Sequence, residues 1–335
     1  MQLPKAIKTI SLLGDGGWGT TLAIHLCRRN YTVKLWGAFP KYLREVRRTR
    51  YNTKFLPGIR IPLKVELVDK LEEAVTPVDL LVLTTPSKYL QNLLNKLKKY
   101  SLSKKIILSA IKGIDTIRLR RMSELIHEAL GPVPLAVLSG PTIAIEVAHQ
   151  IPSTAVIASH NPKIARLLQN VFHSEYFRIY TNNDVAGVEV GGSAKNIIAI
   201  ACGICDGLGF GTNTKAAILS RGLNEMIRLG QAMGAEAKTF YGLTGLGDLA
   251  TTCFSPNSRN RFVGEQLGKG KTIKQITSSM NMVAEGIETV KAVYKLSRKY
   301  KIPMPITTEV YNIIYRNKKP QRVVTDLMKR KTKAE

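Results

Sequence analysis

Short apolar runs alternate with amphipathic segments along the first half of the chain. The apolar runs lie at Thr9–Leu13, Thr32–Trp36, Leu80–Leu83, Ile106–Ser109, Leu135–Leu138 and Thr154–Ala158. Between them, apolar residues recur at helical spacing, as at Leu90, Leu93 and Leu97. Apolar strands that alternate with amphipathic helices predict a doubly wound, mostly parallel sheet with helices on both faces and right-handed crossovers.

The pattern changes at about Val188, after which strand-like runs vanish. Long helical patterns occupy 188–206, 214–233, 285–300 and 306–316. Within Lys215–Met233, apolar and small residues recur on one broad helical face. A length of 335 residues also favours about two domains. We therefore predict an α/β domain over 1–187, followed by an all-α C-terminal domain over 188–335.

A glycine-rich turn separates the first predicted strand from a predicted helix over Trp18–Arg29. It reads Gly14-Asp15-Gly16-Gly17-Trp18-Gly19, which has the spacing G-x-G-x-x-G. In a dinucleotide-binding fold the first glycine allows the tight turn, the second admits the pyrophosphate and the third lets helix and strand pack closely. The positive end of the helix dipole then faces the pyrophosphate. We interpret the first domain as Rossmann-type, the alternative being an ordinary glycine-rich turn.

The chain carries an excess of basic residues. Its 50 Lys and Arg against 24 Asp and Glu give a formal net charge of +26. Such a charge attracts anions, including phosphorylated substrates, nucleic acid and acidic lipids. The basic runs lack the interleaved aromatic residues of a single-strand-binding surface. We therefore interpret them as a solvated lysine-rich surface and expect no specific nucleic-acid partner.

The sequence favours a cytoplasmic protein without metal. Its longest apolar run, Ile197–Cys205, is too short to span a bilayer, and the start of the chain lacks a signal-peptide pattern. Cys202 and Cys205 form a C-x-x-C pattern with no second ligand pair at metal-binding spacing. We interpret both cysteines as small residues on a packed helix.

Polar turns follow three of the predicted strands, at the edge of the sheet where this fold binds ligands. They are Thr84–Ser87, Ala110–Gly113 and Ser139–Thr142. They are rich in glycine and hydroxyl groups, and one of them contains Lys112. Together they predict a ligand-binding cleft, although each alone is compatible with simple turn chemistry.

The predicted helical domain contains further candidate residues. Lys195 follows small residues in Gly191–Asn196, and Asp248 ends the stretch Gly245–Asp248. The segment Ser255–Arg261 reads SPNSRNR and is dense in hydrogen-bond donors suited to a phosphate. A solvated loop is the alternative interpretation of this last segment.

Motifs along almost the whole chain resemble bacterial-type NAD(P)-dependent glycerol-3-phosphate dehydrogenases. GLGDL followed by SPNSRNR is the most specific of these matches. The matching stretches are Trp18–Thr20, Asn52–Pro62, Ala110–Asp115, Leu138–Val147, Val188–Leu208, Gly242–Arg261, Val283–Gly286 and Met304–Thr307. The resemblance implies reversible hydride transfer between sn-glycerol 3-phosphate and dihydroxyacetone phosphate, for phospholipid synthesis, by a homodimer.

The resemblance also implies roles for individual residues. Lys195 would accept the proton of the substrate C2 hydroxyl, as a lysine can when burial or a neighbouring cation destabilises its ammonium form. Lys112 would be that cation, and Asp248 would orient a lysine or accept a substrate hydroxyl hydrogen. The implied substrate-binding residues are Lys112, Gly140, Thr142, Lys195, Asp248, Ser258, Arg259 and Asn260. The implied cofactor-binding residues are Gly14, Gly16, Gly17, Trp18, Gly19, Lys112, Ala144, Arg259, Val283 and Glu285.

The chain departs from the family pattern where the cofactor is recognised. Asp15 replaces a small apolar residue and would repel a pyrophosphate unless its side chain turned to solvent. After the second predicted strand, an acid would bind the ribose 2′-hydroxyl of NAD and an arginine would favour NADP. This chain has Ala38 and Phe39 there. The net positive charge favours NADP only slightly, so the sequence leaves NAD and NADP both open.

Two other classes of function remain compatible with the sequence. Other two-domain Rossmann dehydrogenases, such as ketopantoate reductases and hydroxyacid dehydrogenases, share the architecture but do not need the SPNSRNR segment. A non-catalytic basic protein would bind nucleic acid with a steep salt dependence and show no turnover. The charge is also compatible with weak association with an anionic membrane surface.

Overall fold

The computed structural model describes residues 6–76, 78–280 and 283–329. The chain forms two compact units. The first contains the residues up to Gly113 together with Arg120–Glu189, and the second contains Ile114–Leu119 together with the residues from Val190 onward. The domain boundary between residues 187 and 188 stays a prediction.

The first unit is built on one eight-stranded sheet, with the order β3-β2-β1-β4-β5-β6-β7-β8. All neighbouring strands are parallel except β6 and β7, which are antiparallel. The strands are β1 (Thr9–Leu13), β2 (Thr32–Trp36), β3 (Val65–Val68), β4 (Leu80–Leu83), β5 (Ile106–Ser109), β6 (Leu135–Ser139), β7 (Ser153–Ala158) and β8 (Phe177–Asn182).

Helices cover this sheet, and two apolar clusters form its core. The central strands β4 and β5 are buried along their whole length, as expected for strands covered on both faces. The helices are α1 (Gly17–Arg28), α2 (Pro40–Thr49), α3 (Leu71–Val75), α4 (Leu90–Leu97), α5 (Met122–Leu130), α6 (Ala144–Ala148) and α7 (Pro162–Phe172). The prediction of a doubly wound, mostly parallel sheet is confirmed.

The antiparallel pair has a simple origin in the connection between β6 and β7. A parallel partner requires the chain to return to the opposite end of the sheet. The only helix in this described connection is α6, which has five residues. Such a helix rises about 7.5 Å, which is less than the length of a strand. The chain therefore re-enters the sheet from the same end.

The second unit is helical in the residues that the structure describes. Its first long helix, α8, begins in the first unit. The helices are α8 (Val185–Gly207), α9 (Thr212–Ala232), α10 (Asp248–Phe254), α11 (Arg259–Gly268), α12 (Ile273–Ser278), α13 (Glu285–Lys299), α14 (Pro305–Arg316) and α15 (Pro320–Met328). A short π-helical segment, Leu243–Gly247, leads directly into α10. The prediction of an all-α C-terminal domain is confirmed.

Helix α8 is the longest helix among the described residues of this unit. It is long and apolar enough to cross a membrane, by length and composition alone, but its apolar window is completely buried inside the protein. This burial is typical of a core helix inside a protein. Cys202 and Cys205 are free and buried on it.

Candidate active site

The glycine turn is held between β1 and β4 by main-chain packing. Gly14 has φ +132°, a conformation that side chains rarely adopt, and a Cβ there would lie 2.8 Å from the Thr84 carbonyl carbon. The Gly14 amide donates to the Trp36 carbonyl at 3.0 Å, and the Thr84 hydroxyl donates to the Gly14 carbonyl at 2.9 Å. A Cβ on Gly19 would collide with that same Gly14 carbonyl oxygen. Glycine at positions 14 and 19 thus allows α1 to begin directly against the sheet.

The start of α1 fits the pyrophosphate of a dinucleotide. Gly16 precedes the helix without a side-chain cap, and the first turn carries no acidic residue. Apart from Gly16 and its two chain neighbours, the described residues place no atom within 4 Å of the position that a Gly16 Cβ would take, so this side of the turn is open. The exposed N–H groups and the dipole of a helix N-terminus favour an anion. The role of Gly16 that the sequence predicts is compatible with this geometry.

Asn52 anchors the glycine turn and was not singled out from the sequence. Its side chain is buried, and its amide donates to the Asp15 carbonyl at 2.7 Å and to the Thr20 hydroxyl at 2.8 Å. Its amide oxygen accepts from the Tyr42 hydroxyl at 2.7 Å. Asn52 is the first residue of Asn52–Pro62, one of the stretches that carry the family resemblance, and this was the only sign of its importance in the sequence. It fixes the turn and is a positioning residue.

The structure brings Trp18 and Ala144 to the glycine turn in different ways. The Trp18 indole packs edge to face on Phe177, with ring centroids 6.3 Å apart. The Trp18 side chain therefore contributes to packing. Its predicted role in cofactor binding then falls to its main-chain atoms. Ala144 begins α6 and accepts a hydrogen bond from the Thr21 hydroxyl of α1 at 3.0 Å. A Cβ on Gly17 would lie 3.9 Å from the Ala144 Cβ, so two predicted cofactor residues are neighbours.

Asp15 does not turn to solvent. Only 8% of the residue is exposed, and its Oδ2 atom is shielded from solvent without a hydrogen-bond partner. Desolvation by burial raises the pKa of this carboxyl to about 6, although Lys54 acts in the opposite direction. The sequence could not decide the orientation of this side chain, because its burial depends on residues beyond β2.

The residues that follow β5 and β6 meet, as predicted from the parallel pairing of these strands. The Lys112 ammonium donates to the Gly140 carbonyl at 2.9 Å and contacts the Thr142 hydroxyl at 3.4 Å. Gly140 has φ +135°, and a Cβ there would lie 3.0 Å from the Ala155 Cα. The turn thus brings a cation, a hydroxyl and a glycine main chain together at one edge of the sheet.

A buried ion pair lies in the helical unit. Lys195 of α8 is 5% exposed and Asp248 is 1% exposed. The Lys195 ammonium donates to Asp248 Oδ1, and to the Thr252 hydroxyl at 2.6 Å. That hydroxyl in turn donates to the Asp248 carbonyl at 2.7 Å. A buried charge persists only when it is paired and hydrogen-bonded. The arrangement holds the lysine nitrogen in a fixed position, and the adjacent Asp248 carboxylate favours its ammonium form.

Close helix packing creates this pair. A Cβ on Gly191 would lie 2.5 Å from the Thr244 carbonyl oxygen, so α8 and the π-helical segment touch through their main chains. Lys195 lies one helical turn beyond Gly191, and Asp248 lies about one turn beyond Thr244. The two side chains therefore meet. Irregular π-helical turns are frequent at functional sites.

Glycines also bring α8 and α11 together. Added Cβ atoms at Gly203 and Gly264 would collide with the carbonyl oxygens of Arg261 and Ile200, respectively. This approach places Asn260 against α8, and its amide donates to the Asn196 side-chain oxygen at 2.8 Å. The Asn260 amide oxygen accepts from the Gly286 amide at 2.9 Å. Asn260 is thus beside the lysine-bearing segment and has a structural role as well as its predicted substrate role.

Three predicted cofactor residues converge at the start of α11 and α13. The Arg259 guanidinium donates to the Val283 carbonyl at 2.7 Å. The Glu285 carboxylate interacts electrostatically with the same guanidinium. Ser258, a predicted substrate residue, caps α11 by accepting from the Arg261 amide at 3.2 Å. Their roles toward ligands stay predictions.

Alanine substitutions in the turn should separate folding from cofactor binding. We expect Gly19→Ala to lower the free energy of unfolding by about 1–3 kcal/mol, because the new methyl group collides with the turn. Gly16→Ala should leave stability unchanged within about 0.5 kcal/mol, yet weaken NADH binding about tenfold or more by crowding the pyrophosphate. Thermal unfolding and fluorescence titration with NADH measure the two effects. Full NADH affinity in Gly16→Ala would contradict the assignment of the pyrophosphate to this turn.

Asp15→Asn should stabilise the protein in a pH-dependent way. In the unfolded chain the Asp15 carboxyl has its ordinary pKa of 3.8, whereas burial in the folded protein raises this pKa to about 6. Stability is therefore lost as the pH rises from about 4 through about 6, and the full penalty of at most about 3 kcal/mol remains at higher pH. Urea unfolding should show the Asp15→Asn variant to be more stable than the wild type at about pH 8 and equally stable at about pH 4. An equal stability difference between the variant and the wild type at both pH values would contradict the raised pKa of a buried Asp15 carboxyl.

Family comparisons cover nearly the whole chain. Residues 9–165 match the family described as NAD-dependent glycerol-3-phosphate dehydrogenase N-terminus. Residues 184–325 match the family described as NAD-dependent glycerol-3-phosphate dehydrogenase C-terminus. These ranges include all of the glycine turn, the Lys195–Asp248 pair and the start of α11.

Individual relatives agree with the family match. The chain is 45% identical over 329 residues to a glycerol-3-phosphate dehydrogenase [NAD(P)+] of Chlorobium phaeobacteroides (strain BS1), covering 97% of this chain and 98% of the relative. It is 46% identical over 326 residues to the glycerol-3-phosphate dehydrogenase [NAD(P)+] of Thermoanaerobacter sp. (strain X514), covering 97% of this chain and 98% of the relative. The crystal structure of glycerol-3-phosphate dehydrogenase from Coxiella burnetii matches with a TM-score of 0.94 and 36% identity, covering 98% of this chain and 100% of that one.

Proposed function

This chain belongs to the NAD-dependent glycerol-3-phosphate dehydrogenase family, and we propose that it interconverts sn-glycerol 3-phosphate and dihydroxyacetone phosphate. NAD or NADP is the cofactor, and when bound its nicotinamide accepts or supplies the hydride. The observation that carries the proposal is the buried Lys195–Asp248 pair with its Thr252 hydrogen bond.

Lys195 handles the proton in this proposal. In the oxidation direction its amino group takes the proton from the C2 hydroxyl of glycerol 3-phosphate. In the reduction direction its ammonium stabilises the negative charge that develops on the carbonyl oxygen and then returns the proton. Asp248 and Thr252 hold the nitrogen in place. Because the nitrogen is already positioned, no free energy is needed to reorganise it during the reaction. Lys112, with Gly140 and Thr142, keeps the active-site role that the family resemblance implies.

Phosphate recognition is assigned to the beginning of α11. This helix begins within the SPNSRNR segment, whose residues supply hydroxyl, amide and guanidinium donors, with Ser258, Arg259 and Asn260 as the proposed ligands. Arginine binds phosphate oxygens in a planar, bidentate geometry. The overall charge of +26 adds a long-range attraction for an anionic substrate.

A comparison of ketones tests the proposal and separates it from related dehydrogenases. With NADH or NADPH, we expect turnover of dihydroxyacetone phosphate and at least about a hundredfold lower kcat/KM for unphosphorylated dihydroxyacetone, since the phosphate contacts are lost. Ketopantoate should not be reduced. Preferential reduction of ketopantoate would favour the alternative dehydrogenase class, and steeply salt-dependent DNA binding without any turnover would favour a non-catalytic basic protein.

We further propose a cytoplasmic homodimer that supplies glycerol 3-phosphate for phospholipid synthesis. Its basic surface supports weak, salt-sensitive association with anionic membranes. Analytical ultracentrifugation tests the dimer. Co-sedimentation with vesicles tests the membrane association, which should increase with anionic lipid and disappear at high salt.

A further inference from the structure

Among the described residues, Asp15 is the only ionisable side chain with a buried polar atom that lacks a hydrogen-bond partner. It lies inside the glycine turn, where its neighbours Gly14 and Gly16 have no side chains. Its Oδ2 atom is shielded from solvent and has no hydrogen-bond partner. Leaving a carboxylate oxygen in this state is costly, and such groups in native proteins call for a functional explanation.

The position of this carboxyl relates it to the second strand. Gly37 is the first residue after β2, and a Cβ on Gly37 would collide with Asp15 Oδ2. The Asp15 carboxyl therefore occupies the space in which a side chain at position 37 would begin. In dinucleotide-binding folds, the residue near this strand end is the acid that accepts a hydrogen bond from the ribose 2′-hydroxyl. Here the strand ends in Gly37, Ala38 and Phe39, which offer no such acceptor.

We propose that Asp15 replaces the missing strand-end acid, accepts a hydrogen bond from the ribose 2′-hydroxyl and makes the protein prefer NAD(H) over NADP(H). This assignment rests on the proposed dinucleotide-dependent function and deepens it. A 2′-hydroxyl gives Oδ2 the donor that this oxygen lacks, whereas a 2′-phosphate brings negative charge against the carboxylate. In this protein, the residue that selects the cofactor therefore lies in the glycine turn and not at the end of β2.

Lys54 is the cation that opposes this preference. It acts electrostatically on the Asp15 carboxyl and favours its charged form. Its ammonium also lies 5.2 Å from the centroid of the Phe55 ring. A cation in this region attracts a 2′-phosphate as well, so the balance between Asp15 and Lys54 decides between the two cofactors.

Equilibrium titrations without substrate test the assignment independently of turnover. Nicotinamide fluorescence reports the dissociation constants of NADH and NADPH for the wild type, Asp15→Asn, Asp15→Ala and Lys54→Met. We expect the wild type to bind NADH about tenfold or more tightly than NADPH. Both Asp15 variants should reduce this ratio about tenfold, chiefly by improving NADPH binding, and Lys54→Met should increase it.

A matched variant controls for the loss of one negative charge. Asp69 follows the neighbouring strand β3, and Asp69→Asn should leave the NADH to NADPH ratio unchanged. A wild type that binds NADPH as tightly as NADH would overturn the assignment, as would parallel changes of both affinities in the Asp15 variants. If neither cofactor binds to the folded wild type, the proposed function itself fails, which is a distinguishable result.

Discussion

Lys195→Met should lower kcat for the reduction of dihydroxyacetone phosphate about a thousandfold, while the affinity for NADH stays largely intact. Methionine fills similar space but cannot exchange a proton, and general acid–base groups typically contribute about 10²–10⁴-fold to a rate. The lysine nitrogen is buried and held by Asp248 and Thr252, so the variant loses a proton-exchanging group that is fixed in position. Steady-state kinetics and NADH fluorescence titration measure the two quantities.

Lys318→Met provides the matched control, because Lys318 also forms an ion pair in the helical unit, with Glu309 at 2.7 Å. It is outside the residues assigned to catalysis, and its variant should keep the wild-type kcat. If Lys195→Met retained more than about a tenth of the wild-type kcat, the proton-transfer role of Lys195 would be wrong.

Asp248→Ala should lower the free energy of unfolding by about 3–5 kcal/mol, because it leaves the Lys195 charge buried without its counter-ion. Asp248 is 1% exposed, so water cannot readily replace the lost carboxylate. Urea unfolding measured by circular dichroism gives the change in stability. Activity should fall as well, since the lysine nitrogen loses the group that positions it.

The double variant Lys195→Met/Asp248→Ala separates charge burial from the creation of a cavity, because it removes both charges but keeps the cavity that Asp248→Ala creates. Removing one partner of a buried ion pair is strongly destabilising, whereas removing both charges is much less so. We therefore expect the double variant to be more stable than Asp248→Ala, although inactive. If it were as unstable as Asp248→Ala, the loss of packing, and not the unpaired charge, would explain the destabilisation.

Much of the fold could be predicted because local periodicity is strong in the central elements. The predicted strand Thr9–Leu13 coincides with β1, and the helical pattern at 188–206 lies within α8 (Val185–Gly207). The sequence did not predict β3 or β8, which form the two edges of the sheet. Each alternates exposed and buried residues over part of its length, whereas continuous apolar runs are the signal that identifies the buried central strands.

The site was predictable where its chemistry lies in compact motifs. The glycine turn, Lys112, Lys195, Asp248 and the start of α11 are all recognisable in the sequence. Asn52 and Thr252 were not singled out, because an asparagine and a threonine acquire their roles only through contacts made in the folded chain. The burial of Asp15 against Gly37 likewise joins residues that belong to different elements, so neither the orientation nor the pKa of this carboxyl follows from the local sequence.

Oxidation of the reduced cofactor by dihydroxyacetone phosphate is the decisive measurement for the proposed reaction. Purified protein is mixed with this ketone and either NADH or NADPH, and nicotinamide absorbance is followed together with the product. We expect the absorbance to fall and one glycerol 3-phosphate to form for each cofactor oxidised, with the faster reaction for NADH. Failure of the folded protein to oxidise either cofactor in the presence of dihydroxyacetone phosphate would contradict the proposed reaction.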